Sequence, residues 1–184
     1  MAGTRERALD AAVEVLGTEG VRALSHARVD AAAGLPAGST SNWFRTRRAL
    51  LGGVVDWIAE SERADYSASD VPLAPGEAGL IDGLSALIEL LTGPFAVRTR
   101  ARYALFLELA ADPELGATLR SQRREFEGFT EQLVAQAGIP DPTPATRALM
   151  ALGDGLILHR LTVDPELAVR PTIERTVRAL GRQL

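Results

Sequence analysis

Leu24 to Leu51, LSHARVDAAAGLPAGSTSNWFRTRRALL, holds two short helical segments parted by a glycine and followed by a basic helix start. Ser25 is the expected N-cap of the first segment, because a serine oxygen accepts one of the N–H groups that a helix start leaves unpaired. Val29, Ala32 and Ala33 form its apolar stripe, and Gly34 stands where a helix end needs a residue at ease in the left-handed conformation. Leu35 then packs inward, and Pro36 opens the next helix, where its missing N–H costs nothing. That second helix reads Ala37-Gly38-Ser39-Thr40-Ser41-Asn42-Trp43-Phe44. Its small side chains let the backbone approach a duplex, and its hydroxyls and amide suit phosphates and base edges. The pattern predicts a helix-turn-helix that reads DNA. Its candidate contacts are Ser25, Arg28, Pro36, Ala37, Gly38, Ser39, Thr40, Ser41, Asn42, Trp43, Arg45 and Arg47. Of the aromatic pair, Phe44 is expected in the core and Trp43 at the surface.

Charge follows the same division. Residues 1–50 hold seven arginines against five acidic residues, a balance of +2, and residues 51–184 hold thirteen against nineteen, a balance of −6. An acidic bulk disfavours loose adhesion to nucleic acid and concentrates attraction on Arg28, Arg45, Arg47 and Arg48.

Ala33-Gly34-Leu35-Pro36-x-Gly38-Ser39-Thr40, then Asn42-Trp43-Phe44-Arg45-Thr46-Arg47 and Ala49-Leu50-Leu51, resembles the signature of the TetR family of bacterial repressors. The upstream run Thr4 to Ala12 with Gly20 also fits, so the resemblance covers about residues 4–52. Ala27 holds a position where many members carry a basic or polar contact residue, and its neighbour Arg28 is the substitute on offer. The resemblance implies a dimeric regulator, a bundle interface built from the last two long helices, and a ligand cavity in the body.

Composition narrows the other classes. The 184 residues suffice for a small head on a larger body. No cysteine is present, and His26 and His159 are the only histidines, which excludes disulfides, thiolate chemistry and histidine-rich metal sites. No cofactor is expected. Lysine is absent, as a GC-rich coding sequence favours. The N-terminal stretch lacks an apolar signal core and no long apolar run follows, so the expected setting is cytoplasmic, with no membrane partner.

Every strongly periodic segment has helical spacing, and the expected fold is all-α. A first helix from about Thr4 to Thr18 turns Leu9, Ala12, Val13 and Leu16 inward and closes a three-helix head. A fourth, from Arg47 to about Ala64, offers Leu50, Leu51, Val54, Val55 and Ile58. Gly52-Gly53 interrupts it at a cost of roughly 1 kcal/mol each relative to alanine. A close helix crossing and a bending point both account for the pair. Tyr66 to Gly76 reads as a surface loop. Five helical stretches follow, at about Glu77–Thr92, Phe95–Ala110, Pro113–Ala137, Thr143–Thr162 and Pro171–Gln183, the third capped by Asp112. The expected domains are 1–46, for DNA, and 47–184, for ligand and dimerisation.

The stretch from Ala148 to Leu158 is apolar on nearly every face, and a helix apolar all round is buried all round. That points to a second subunit. Leu152, Leu156 and His159, with Ile173, Val177 and Leu180 on the last helix, are the candidate interface. A two-fold dimer also lets two reader helices reach successive major grooves, roughly 34 Å apart. Asp154 is the one carboxylate in that run and must be paired, wet or facing a ligand. Trp57, Ile88, Tyr103, Phe106, Phe126 and Met150 are candidate walls of a small-molecule pocket, with Asp154 or Arg102 as polar anchors. Tyr103, Phe106, Leu107, Ala110, Phe126 and Phe129 equally suit a core.

The reading that gathers these features is a repressor that binds a near-palindromic DNA operator as a homodimer and is released by a small-molecule effector. Two alternatives stand beside it. One is a helical protein-interaction module that does not bind DNA. The other is an acid–base enzyme using Glu108 and Asp154, for which the sequence offers no nucleophile motif, phosphate loop or metal-ligand spacing.

Overall fold

The computed structural model describes residues 3–68 and 74–182, and every regular element among them is helical. In chain order these are α1 (Thr4–Glu19), α2 (His26–Ala33), α3 (Ser39–Trp43), α4 (Arg47–Ala68), α5 (Gly76–Thr92), α6 (Ala96–Glu108), α7 (Leu115–Gln136), α8 (Pro142–Thr162) and α9 (Arg170–Gly181), with a 3-10 turn at Val21–Ala23. The chain divides into two compact units, Met1–Ala68 with Ala96–Arg120, and Ser69–Phe95 with Ser121–Leu184. The helix-turn-helix shares its unit with α4, α6 and the start of α7.

In the first unit, the predicted inward face of α1 is buried at Leu9, Ala12, Val13 and Leu16, but so are Ala8, Ala11 and Val15. The extra burial has a cause: α1 packs on α2, α3 and α4 and also on α6. A Cβ built at Gly17 would stand 2.1 Å from the Val97 carbonyl oxygen, so only glycine lets these two backbones meet. Glu6, in the first turn, accepts the Gly3 N–H at 2.8 Å and places its charge at the positive end of the helix.

Leu50, Leu51, Val54, Val55 and Ile58 of α4 are buried in one cluster with Leu9, Val29, Phe44, Leu105 and Leu119. Each wholly buried leucine there contributes about 1.5–3 kcal/mol over an exposed one. Gly53 lies under the Phe44 ring, where a Cβ would approach Cε1 to 2.4 Å, and a Cβ on Gly52 would reach Leu115 at 3.2 Å. The glycine pair is thus a packing feature within a continuous helix. That helix continues to Ala68, so Tyr66 to Ala68 are helical where a loop was expected, and residues 69–73 of that loop lie outside the described residues. Two ion pairs lace α4 to α6: Arg98 with Asp65, and Arg102 with Glu62 at 3.0 Å.

In the second unit α5 packs on α8 and α9, and α8 on α9. Leu80, Ile81, Ile88 and Leu91 of α5, Leu149, Leu156 and Ile157 of α8, and Ile173 and Val177 of α9 are buried. Arg170 reaches Asp82 at 2.6 Å and Arg178 reaches Glu77 at 3.7 Å, joining α9 to α5 at its edge. Among the described residues no single helix is long and apolar enough to cross a membrane.

Candidate nucleic-acid interface

Helix α3, which carries the predicted reading residues, is five residues long. One turn of helix does not hold itself together in water, so its placement comes from its neighbours. Helix α2 supplies most of it. Ser25 caps α2, its Oγ accepting the Arg28 N–H at 3.2 Å. At the other end Gly34 is left-handed, at φ 60 and ψ 39, and its N–H reaches Ala31 O at 3.3 Å while Leu35 N–H reaches Asp30 O at 2.9 Å. This paired closure turns Leu35 back onto the core, as the sequence suggested. Arg7 of α1 donates to the Ala33 carbonyl at 2.8 Å.

Asp30, in the last turn of α2, is 3% exposed. Its carboxylate accepts the Gly38 N–H at 2.8 Å, the Thr40 N–H at 2.8 Å and the Thr40 hydroxyl at 2.5 Å. Burial by itself raises this carboxyl, but the Thr40 hydroxyl and the Thr40 and Gly38 N–H groups outweigh it and hold the pKa below the usual value. His26, at the start of α2, places Nε2 2.5 Å from the Phe44 carbonyl oxygen just past the end of α3. A carbonyl only accepts, so Nε2 carries the proton. Helix α2 therefore holds α3 at both ends.

Several predicted contacts take other places. Pro36 does not open the helix: it stands in a turn, its carbonyl accepting the Ser39 N–H at 3.1 Å and the Ser39 hydroxyl at 2.6 Å, and the helix begins at Ser39. Thr40 is wholly buried with its hydroxyl spent on Asp30, so it cannot offer that group to DNA. The Ser41 hydroxyl donates to Gly38 O at 2.8 Å. Ala32 is exposed, leaving Val29 and Ala33 as the inward stripe of α2. Pro36, Ala37, Gly38 and Asn42 are exposed, and Trp43 is 56% exposed while Phe44 is 7%. The Arg5 guanidinium lies 5.8 Å from the Phe44 ring centre.

The basic patch is mostly engaged within the chain. Arg28 makes a two-pronged pair with Glu19, at 3.0 and 2.5 Å. Arg47 donates to the Val21 carbonyl at 2.8 Å and the Leu24 carbonyl at 3.4 Å. Arg48 is paired with Asp112 and, at 2.9 Å, with Glu114. Arg45 is exposed, and no hydrogen bond or ion pair ties it to another described residue. Thr46, named in the sequence only as part of the signature, caps α4 by accepting the Ala49 N–H at 3.0 Å. Asp30 and His26 were missed for a different reason: their partners are 8 to 18 residues away, and no local pattern announces them.

The pocket candidates are distributed over both units. In the first, Trp57 donates its indole N–H to Asp10 at 2.8 Å, Trp57 and Phe106 pack against the core, and Arg102 pairs with Glu62 and stands 5.4 Å from the Tyr103 ring centre. Leu107 is 83% exposed and leaves the aromatic group. In the second, Ile88 is buried, Phe126 and Met150 are half-buried, and Asp154 is held by Arg123 at 2.5 Å. Among the described residues no three of His, Cys, Asp and Glu gather as a metal site requires.

The interface candidates also change. Leu156, Ile173 and Val177 are buried within their own chain, because α5 and α9 cover faces of α8 that seemed to need a partner. Leu152 and Leu180 are half-buried and His159 is exposed. Besides Thr143, Pro144, Arg147 and His159, α8 leaves open Ala148, Ala151, Gly155, Leu158 and Thr162, which are spaced alternately by three and four residues.

A helical chain that braces a short second helix against the first in a helix-turn-helix has the architecture of a transcriptional regulator. Residues 75–183 match the family model described as "Tetracyclin repressor-like, C-terminal domain". The chain belongs to the TetR family of transcriptional regulators. Among solved structures it is similar to the multidrug binding protein EbrR. The imidazole complex of that protein is 27% identical, with 100% of this chain and 98% of that one covered and a TM-score of 0.70. A TetR-family member from Streptomyces coelicolor A3 is 26% identical over 99% of this chain and 100% of that one, with a TM-score of 0.73. A TetR-family regulator from Rhodococcus sp. shares the fold at a TM-score of 0.80 and 20% identity, covering 98% and 100%. No curated protein matches the sequence.

Proposed function

We propose that this chain is a cytoplasmic, ligand-responsive repressor that binds a near-palindromic operator as a homodimer and releases it when a small molecule occupies the body. The observation that carries the DNA-binding part is the α3 helix held at both ends by Asp30 and His26, with Asn42, Trp43 and Arg45 exposed along and just beyond it. Asn42 suits a base edge, and Arg45 and Trp43 suit the phosphate backbone. Ligand responsiveness draws support from EbrR, a multidrug binding protein of similar sequence and full-length overlap. Coupling between the sites requires that the ligand bind two conformations of the chain with different affinity.

The exposed seam of α8 supports the dimer. Ala148, Ala151, Gly155, Leu158 and Thr162 follow the three–four alternation by which one helix lies along another, and nothing of the same chain stands within 4 Å of a Cβ built on Gly155. The test of the whole reading is selection of bound duplexes from a random pool at several salt concentrations, with Asn42→Ala and Arg45→Ala alongside. A two-fold symmetric site, weakened in both variants, is the expected result. A folded, dimeric protein that enriches no sequence refutes the operator.

A further inference from the structure

We propose that Asp30 is the positioning residue on which sequence reading by this chain depends, and that Thr40 serves Asp30 rather than a base. The inference rests on the DNA-binding reading above. Helix α3 begins without a side-chain cap of its own, since its N-cap is Gly38. Its unpaired N–H groups at Gly38 and Thr40 are answered instead from the preceding helix, by the two oxygens of one carboxylate. The Thr40 hydroxyl is the third donor to that carboxylate. Asp30 is 3% and Thr40 0% exposed, so water does not replace a lost partner. A buried carboxylate keeps its charge only when hydrogen bonds surround it, and a negative charge is favoured at a helix start. Both effects favour the same geometry. With the far end of α3 on His26, the five-residue helix moves as one piece with α2. Recognition of a base edge tolerates displacements of only about 0.5 Å, and a single turn of helix has no means of its own to hold that tolerance.

The charge of Asp30 never meets DNA in this arrangement, so its loss acts on specificity and leaves attraction to phosphates alone. Asp30→Ala removes all three acceptor contacts and Thr40→Val the hydroxyl donor alone; Thr40→Ser keeps the hydroxyl. Each is measured against the duplex selected by the wild-type chain and against a scrambled duplex, across salt. The ratio of the two affinities is expected to fall about tenfold or more in the first two variants, the loss of one base-edge contact being of that size. Affinity for the scrambled duplex and its salt slope stay as in the wild type, and Thr40→Ser retains the ratio. Hydrogen exchange of the DNA-free proteins gives the second readout. The Gly38 and Thr40 amides lose protection in Asp30→Ala while Leu50 and Val54 keep theirs. Lost protection with an unchanged ratio overturns the proposal, as does a Gly38 amide already unprotected in the wild type. A wild-type chain that selects no sequence overturns the DNA-binding reading and this proposal with it, and protected amides in that chain identify the operator, not the brace, as the failure.

Discussion

The guanidinium of Arg48, second residue of α4, grips the carboxylate of Asp112, 64 residues further along the chain. The same carboxylate oxygen, Oδ1, accepts the N–H groups of Glu114 at 3.0 Å and Leu115 at 2.8 Å, so Asp112 caps the approach to α7 while holding the start of α4. The Arg48 hydrogen bond, then the Leu115 N–H, lower the carboxyl to about 2.

That lowering has a sign. An unfolded aspartate of this kind titrates near 3.8, so the contact stabilises the fold fully above that pH and ceases to do so as pH falls through about 2. Asp112→Asn keeps a capping oxygen and removes the charge. Thermal melts should show the variant below the wild type by a constant interval from neutral pH down to about pH 5, and the interval should close on further acidification. An interval that persists at pH 2 assigns the effect to something other than the Asp112 charge.

Gly53→Ala forces a methyl against the Phe44 ring and should cost about 1–3 kcal/mol, the usual penalty of overpacking. Gly155→Ala meets nothing in its own chain and replaces a mid-helix glycine, so the isolated chain should gain about 0.5–1 kcal/mol. Chemical denaturation of both variants checks the pair. Equal losses at the two positions contradict the packing described for Phe44.

Leu158→Glu places a charge on the open seam of α8 and should shift the sedimentation of the protein to a monomer that keeps its helical circular dichroism. Leu156→Glu places the charge in the chain's own core, 8% exposed in the wild type, and should lose helix as well. A dimer that survives Leu158→Glu rules out this seam as the interface.

Trp43 and Trp57 are the only tryptophans, the first 56% exposed and the second half-buried with its N–H on Asp10. Iodide should quench Trp43 strongly and Trp57 weakly, as the Trp43→Phe and Trp57→Phe variants separate. Selected duplex DNA should shield Trp43 and leave Trp57 as it was. Shielding of Trp57 alone would move the contact away from α3.

Features decided within a few residues of themselves were legible in the sequence. Ser25 and Gly34 mark the ends of α2 because a cap and a left-handed turn are local events, and Phe44 was separable from Trp43 by the needs of a small core. What escaped were partnerships across the chain. Asp30 sits among alanines with no cue to Thr40 ten residues on, and Arg28 and Arg48 looked like free cations until Glu19 and Asp112 came beside them. The apolar run of α8 predicted burial but not by what, and so assigned Leu156 to a partner when α5 and α9 were at hand. The extent of α1 burial was hidden similarly, since alanine and glycine carry too little hydrophobic signal to announce a second packed face.

The backbone meeting of Gly17 with Val97 sets a limit on how this molecule can be cut or recombined. A fragment ending at residue 46 carries α1 away from α6 and exposes to water the flank of α1 on which Gly17 meets that helix. The compact unit that holds α1 runs to Ala68 and includes Ala96–Arg120, so a hybrid that exchanges this whole unit between relatives has to replace two separate stretches of the gene.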